Sequence, residues 1–186
     1  MQITRRAALA LFPLSAAGVV AGCGVISTTT TNGVTTVTIN VPTAEAYISG
    51  VAALASTLIG FPPVGAALGL AAVQIINTVL AQINSAIPAL NQAAGGSVKF
   101  TFDTTSAPAF IGALEADVST VVKSVEAVIV GMGHAVPPQV QTYYNGLVSV
   151  ANALASLLKT VAPAAATANV MPPTEALALV NIRLPE

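Results

Sequence analysis

APAFIGALEADVSTVVKSVEAVIVG, residues 107–131, is the stretch that decides the fold. Ile111, Leu114, Val118, Val121, Val125, Val128 and the following Met132 recur at strictly alternating spacings of three and four. A helix turns once in about 3.6 residues, so these side chains form one apolar stripe. A 3.5-residue repeat is also the spacing of a knobs-into-holes seam. Ser106 stands where an N-cap would. The pattern returns over 138–161, with Val140, Tyr143, Leu147, Val150, Leu154, Leu157 and Val161 in the same alternation, between Pro137-Pro138 and Pro163.

Two earlier segments extend the reading. Residues 44–60 carry Tyr47, Val51, Leu54 and Leu58 on one face, with Thr43 as N-cap and Gly60, Pro62 and Pro63 as stop signals. Residues 64–92 carry Leu68, Ala72, Ile75, Val79, Ile83, Ala86 and Leu90, and end at Gly95-Gly96. A short apolar tail, 174–184, follows Pro172-Pro173, with Thr174 placed to cap a last helical turn.

Strand signals sit between the helices. Val37, Ile39 and Val41 alternate with Thr and Asn, and Val98, Phe100 and Phe102 alternate with Lys99, Thr101 and Asp103. The order strand, helix, Pro-Pro, helix occurs twice. Two strands separated by a helical hairpin would run antiparallel and pair. The expected fold is therefore mainly α: a four-helix up-and-down bundle with a small β-hairpin or two short antiparallel strands, about 34–41 and 97–103. Residues 27–33 admit two readings. Asn32-Gly33 suits a hairpin turn, while the Thr-rich run also suits a flexible tether.

Only 7% of the residues are charged, against about 25% in ordinary soluble proteins. None lies between Glu45 and Lys99. Such a low charge fits either membrane insertion or a soluble surface of Ser, Thr, Asn, Gln and Ala. Gln74, Asn77, Thr78, Gln82, Asn84, Ser85, Asn91 and Gln92 lie mostly between the apolar positions of 64–92. That is an amphipathic helix with an uncharged polar face, which favours the soluble reading. Acid unfolding arises mostly from carboxylates that must protonate and buried His that must charge. With few of either, stability is expected to depend weakly on pH.

The first 23 residues read as an address. Arg5-Arg6 precedes an apolar run, Ala7 to Gly22, too short to span a bilayer. Thr4, Arg5, Arg6 and Leu9 resemble the twin-arginine export signal of bacteria, with Ala8 where Phe is common and Ala10 where Lys is common; the general secretory route is the alternative. Val20-Ala21-Gly22-Cys23 resembles a bacterial lipobox, and Cys23 is the only cysteine. The resemblance covers residues 1–23 alone. It implies cleavage after Gly22 and a diacylglycerol on the Cys23 thiol. The other reading is a plain signal peptide followed by an incidental thiol. Gly24 leans the sorting toward the outer membrane. The implied organisation is a signal peptide over 1–22, a lipidated tether over 23–33 and one helical domain over 34–186. The mature chain would hold four basic and seven acidic side chains. It is not basic, so no nucleic-acid partner is expected.

Chemistry-bearing constellations are scarce. His134, the only histidine, follows Gly131-Met132-Gly133 at a helix C-terminus, where an imidazolium meets the helix dipole. It lacks further His or Cys partners for a metal. No Gly-x-Ser-x-Gly elbow presents a serine to it. Glu115 and Asp117 are two apart on a helix and diverge. Lys123 and Glu126 read as a solvated pair, and Asp103 as a turn residue. Tyr143 belongs to a seam with Tyr144 beside it; packing at the rim or an aromatic lip for a ligand are the two uses. Gly65-Ala66-Ala67-Leu68-Gly69 would let another helix approach closely. No catalytic, cofactor or metal site is expected.

Three functional readings follow. The first is a non-enzymatic envelope lipoprotein on the periplasmic side, tethered to a membrane through Cys23 and meeting a protein partner or further copies of itself. The second is a carrier of an apolar ligand or lipid between the helices. The third is a membrane-active protein that inserts the charge-free 46–98 hairpin.

Overall fold

The computed structural model describes residues 26–32, 34–158 and 171–185. Strand β1 (Ile26–Thr31) turns at Asn32 into β2 (Val34–Asn40), and the two pair antiparallel. Asn32 has φ 52°, the left-handed conformation that a tight hairpin turn requires. β2 also pairs antiparallel with β3 (Lys99–Asp103), so the sheet order is β1-β2-β3. Most of the stretch read as either strand or tether is thus an edge strand, and the expected two strands are three.

The alternation puts Val37 opposite Phe102 and Ile39 opposite Phe100, all four side chains buried. Burying each contributes roughly 1.5–3 kcal/mol. Phe100 lies 5.6 Å from Phe102 and 6.3 Å from Phe110, ring centre to ring centre, which ties the sheet to the helix that Phe110 opens. On the outer face the Thr38 and Thr101 hydroxyls are 2.8 Å apart. Two residues read as strand lie outside the ladder. Val98 is 61% exposed before β3. Val41 begins a helix, its N–H donating to the Val98 carbonyl at 2.8 Å.

That helix, α1 (Val41–Gly60), starts three residues before its expected position. The cap is Asn40, not Thr43. The Asn40 Oδ1 accepts from both the Thr43 N–H and the Thr43 hydroxyl, each at 3.1 Å. Pro42 fits the first turn, where an N–H would have no helical partner. Tyr47, Val51, Leu54 and Leu58 are buried as their spacing predicts, and so are Ile48, Ala52, Ala55 and Ile59 beside them. A single residue, Phe61, joins α1 to α2 (Pro62–Ala94).

Within α2 the backbone breaks at Gly69, with φ 76° and ψ 160°, a conformation nearly confined to glycine. Ile76, Leu80, Ile83, Ala86 and Leu90 are buried, whereas Ile75, placed in the stripe by spacing, is 61% exposed. Gly95 closes the helix in the left-handed region, its N–H donating to the Asn91 and Gln92 carbonyls.

Ser106 does not cap the next helix. It ends a short 3-10 turn, Thr104–Ser106, whose cap is Asp103, with Oδ1 accepting from the Thr105 N–H at 2.8 Å. Pro108 pushes Ala107 out of helical geometry, so α3 runs Ala109–Met132. Its stripe is buried from Ile111 to Val125, and Val128 and Met132 are half-buried. Helix α4 (Pro138–Leu158) buries Val140, Leu147, Val150, Leu154 and Leu157; Val161 lies outside the described residues.

The tail forms α5 (Pro173–Ala178), which Pro172 precedes and Thr174 does not cap. α1 packs on α2 and α4, α2 on α3, and α3 on α4. α5 lies on α1 and α4. Two glycines make room for it. A Cβ at Gly50 would run into Leu177, and one at Gly146 would sit 3.4 Å from the Ala176 Cβ and 3.3 Å from Leu179. Ser149 donates to the Met171 carbonyl at 2.5 Å and fixes the start of the segment.

Candidate functional site

Arg5, Arg6, Val20, Ala21, Gly22 and Cys23 lie outside the described residues. The described chain begins at Ile26, three residues after Cys23, already paired with Ile39 in the sheet. Three residues span at most about 11 Å. Cys23 therefore lies no more than that length of chain from the first residue of β1. A tether running to residue 33 would have given it about three times that reach.

The ionisable groups do not converge. Among the described residues no three of His, Cys, Asp and Glu come together as a metal-binding group. His134 falls in a 3-10 turn, Gly133–Ala135, directly after α3. Glu115 and Asp117 both occupy α3, and burial raises each carboxyl above its ordinary pKa. One Glu115 oxygen, Oε1, is buried without a hydrogen-bond partner. Lys123 and Glu126 are exposed. Glu45, the fifth residue of α1, accepts from the Asn91 amide near the end of α2. That bond clamps two neighbouring helices and serves no evident chemistry.

The two tyrosines exchange roles relative to their spacing. Tyr144 is buried, and burial followed by the Glu126 charge raises its phenol pKa. Tyr143 is half-exposed. Its ring meets Phe61 edge-on at 5.6 Å and its hydroxyl donates to the Leu179 carbonyl at 3.5 Å. α5 and the α1–α2 turn claim Tyr143, which periodicity within α4 alone could not reveal.

The Phe61–Tyr143 contact puts the α1–α2 and α3–α4 turns at one end of the molecule, opposite the sheet. The ends differ in chemistry. Glu45, Lys99, Asp103, Glu115 and Asp117 belong to the sheet or to the helix turns beside it, whereas exposed Glu175 and Arg183 flank Leu179, whose carbonyl meets Tyr143. Residues 46–98 and 127–158, which include both far turns, contain no Asp, Glu, Lys or Arg. Leu70 is 86% and Val130 72% exposed there. α2 is long and apolar enough to cross a membrane by composition, yet only 17% of its most apolar window is buried. Among the described residues, Ala66 and Ala67 before the Gly69 break and Leu70, Ala71, Gln74 and Ile75 after it face outward. The Gly65–Gly69 patch belongs to this region: Ala66 and Ala67 are exposed, not packed under another helix.

No family model, curated protein or solved structure matches the chain.

Proposed function

We propose that the chain is a non-enzymatic, exported lipoprotein of the bacterial envelope, anchored through Cys23, with a structural or interaction role. The observation that carries this reading is the position of the single cysteine, directly after Val20-Ala21-Gly22 at the end of an apolar segment that follows Arg5-Arg6. The start of β1 three residues later supports it, since a domain that begins at once suits a short lipid tether. The four long helices are read as an up-and-down bundle, supported by the one-residue α1–α2 link and the contacts around the ring α1, α2, α3, α4. A membrane through the lipid anchor is the first partner; outer rather than inner membrane rests on Gly24.

The test is the intact mass of the protein extracted from native membranes in mild detergent. A mass equal to residues 23–186 plus an acylated glyceryl group is expected. An unmodified thiol would overturn the anchor. The carrier reading has less support. The glycines that might have left space, Gly50 and Gly146, are covered by Leu177, Ala176 and Leu179, so an apolar ligand there would have to displace α5. Insertion of the whole 46–98 hairpin would draw α1 out of the core, and only α2 offers a face already exposed.

A further inference from the structure

We propose that the free edge of β1 pairs with the same edge of a second copy, antiparallel about a two-fold axis, so that two three-stranded sheets become one. The sheet order is β1-β2-β3, and among the described residues no strand lies on the other side of β1. β1 packs mainly on β2, while the helices pack on β2 and β3. The register shows which main-chain groups are left over. Thr31 stands opposite Val34, so two residues make the turn. The residues flanking such a turn form a hydrogen-bonded pair, and these pairs alternate along an antiparallel ladder. Ser27, Thr29 and Thr31 therefore bond to β2, and the N–H and C=O groups of Ile26, Thr28 and Thr30 point outward.

The two edges of the sheet differ. β3 carries a charge at each end, Lys99 and Asp103, which is a common protection of an edge. β1 is one residue longer and has no charge, no proline and no bulge in its unbroken register. Every residue from Ser27 to Thr31 bears a hydroxyl. A strand that is polar on both faces and unprotected at its edge readily takes a new neighbour.

An edge of alternating donors and acceptors is complemented along its length by an extended polypeptide. Three observations make that polypeptide a second copy. The first is self-complementarity. A two-fold axis at Thr28 sets Thr28 against Thr28 and Ile26 against Thr30, with about six main-chain hydrogen bonds, and sets Ser27 against Thr29. The sheet already holds hydroxyl pairs of this kind, Thr30 with Thr35 at 3.2 Å and Thr38 with Thr101 at 2.8 Å. The second is charge. β1 has none, so its own image meets no repulsion and a charged strand finds no counter-charge. The third rests on the anchor proposed above. β1 begins three residues after Cys23, so every anchored copy holds this edge within about 11 Å of chain from the same bilayer. Six residues a side fall short of the roughly 20–30 of a stable interface. Confinement by the tether raises the effective concentration instead, so pairing is expected among anchored copies and is weak in dilute solution.

The experiment oxidises Thr28→Cys in the protein extracted from native membranes and reconstituted into phosphatidylcholine liposomes, with Cys23 occupied by its lipid. Across the axis the paired Cα atoms would lie about 5.5 Å apart, within disulfide reach. Thr101→Cys, exposed on β3, is the reference. The expected result is a disulfide-linked dimer at position 28 with about tenfold the yield at 101. Adding Thr29→Lys, at an exposed site, sets like charges about 7–8 Å apart across the axis and should lower the yield to that of the reference. A yield at 28 no higher than at 101, on liposomes that retain the protein, would overturn the inference and leave the anchor standing. A high yield that Thr29→Lys does not touch would also overturn it, because random collision would then explain the link. The intact mass of the same sample reports on the anchor separately. If Cys23 is unmodified the anchor fails, and the comparison is repeated with Cys23→Ser at about millimolar protein, the local concentration of a short tether. Equal yields at 28 and 101 there would end the pairing too.

Discussion

α1 and α2 are neighbours in sequence, share the charge-free stretch 46–98 and are both rich in Ala, Gly, Leu and Ile, yet the fold treats them differently. Twelve of the 20 residues of α1 are buried, against six of the 33 in α2. The difference lies in the neighbours. α1 meets α2, α3, α4, α5 and the sheet, while α2 meets α1, α3 and β3. Small residues then do opposite work. In α1, Gly50, Ala44, Ala52 and Ala55 are buried and let other elements close in. In α2, Ala66, Ala67 and Ala71 face outward and keep an apolar surface low and smooth. Apolar composition alone does not mark a core helix.

The sharpest way to break this comparison is a matched pair of truncations. Leu54→Ala, in α1 and fully buried, is expected to cost about 3 kcal/mol, or about 6–12 °C in Tm. Leu70→Ala, in α2, should stay within about 0.5 kcal/mol. Equal losses by thermal or urea unfolding would mean that α2 is covered in solution.

Gly69→Ala comes next. The backbone there has φ 76°, so a Cβ is expected to cost about 1–3 kcal/mol. A rise in Tm instead would show that α2 straightens. Asn40→Ala removes the acceptor of two hydrogen bonds at the start of α1 and should cost about 1 kcal/mol; an unchanged Tm would return the cap to Thr43.

Glu115 gives the smallest effect. Burial raises its pKa in the folded state, so the folded protein holds this proton more tightly than the unfolded chain does. Its ionised form is slightly destabilising at neutral pH. That penalty is relieved as pH falls through the folded pKa and is fully gone below the unfolded value. Glu115→Gln should therefore raise Tm slightly at pH 7, within about 2 °C, and flatten the rise on acidification. A lower Tm at pH 7 would mean that the carboxylate has a partner worth keeping.

What the sequence made legible follows from how local each signal is. The stripes of α3 and α4 and the pairing of Ile39 with the Phe100 strand could be read because each periodicity lies within one element. The cap of α1 was misplaced because Asn40 and Thr43 are both good caps, and Pro42 between them is compatible with a first turn. Ile75 and Ile76 are adjacent and equally apolar, so spacing alone could not tell which of them is buried against the neighbouring helices. The exchange of Tyr143 and Tyr144 depends on Phe61 and Leu179, which are remote in sequence. The exposure of Leu70 and Ile75 on α2 was hidden for a related reason. Exposure is a property of the neighbours, and the same apolar run would be core in another fold. Cys23 and the segment before it lie outside the described residues and are read from the sequence alone.

The pairing of β2 with β3 has a consequence for the order of assembly. Thr38 and Thr101 are 63 residues apart, whereas α1 and α2 are joined through one residue. Closing the longer loop costs more chain entropy unless the intervening helices have already shortened it. The helical hairpin is expected to form first and the sheet to zip last. Pulsed hydrogen exchange during refolding should protect the amides of α1 before those of β3. The last piece to lock would then be the strand pair beside Cys23, so a chain with its sheet closed is a chain whose folding is finished.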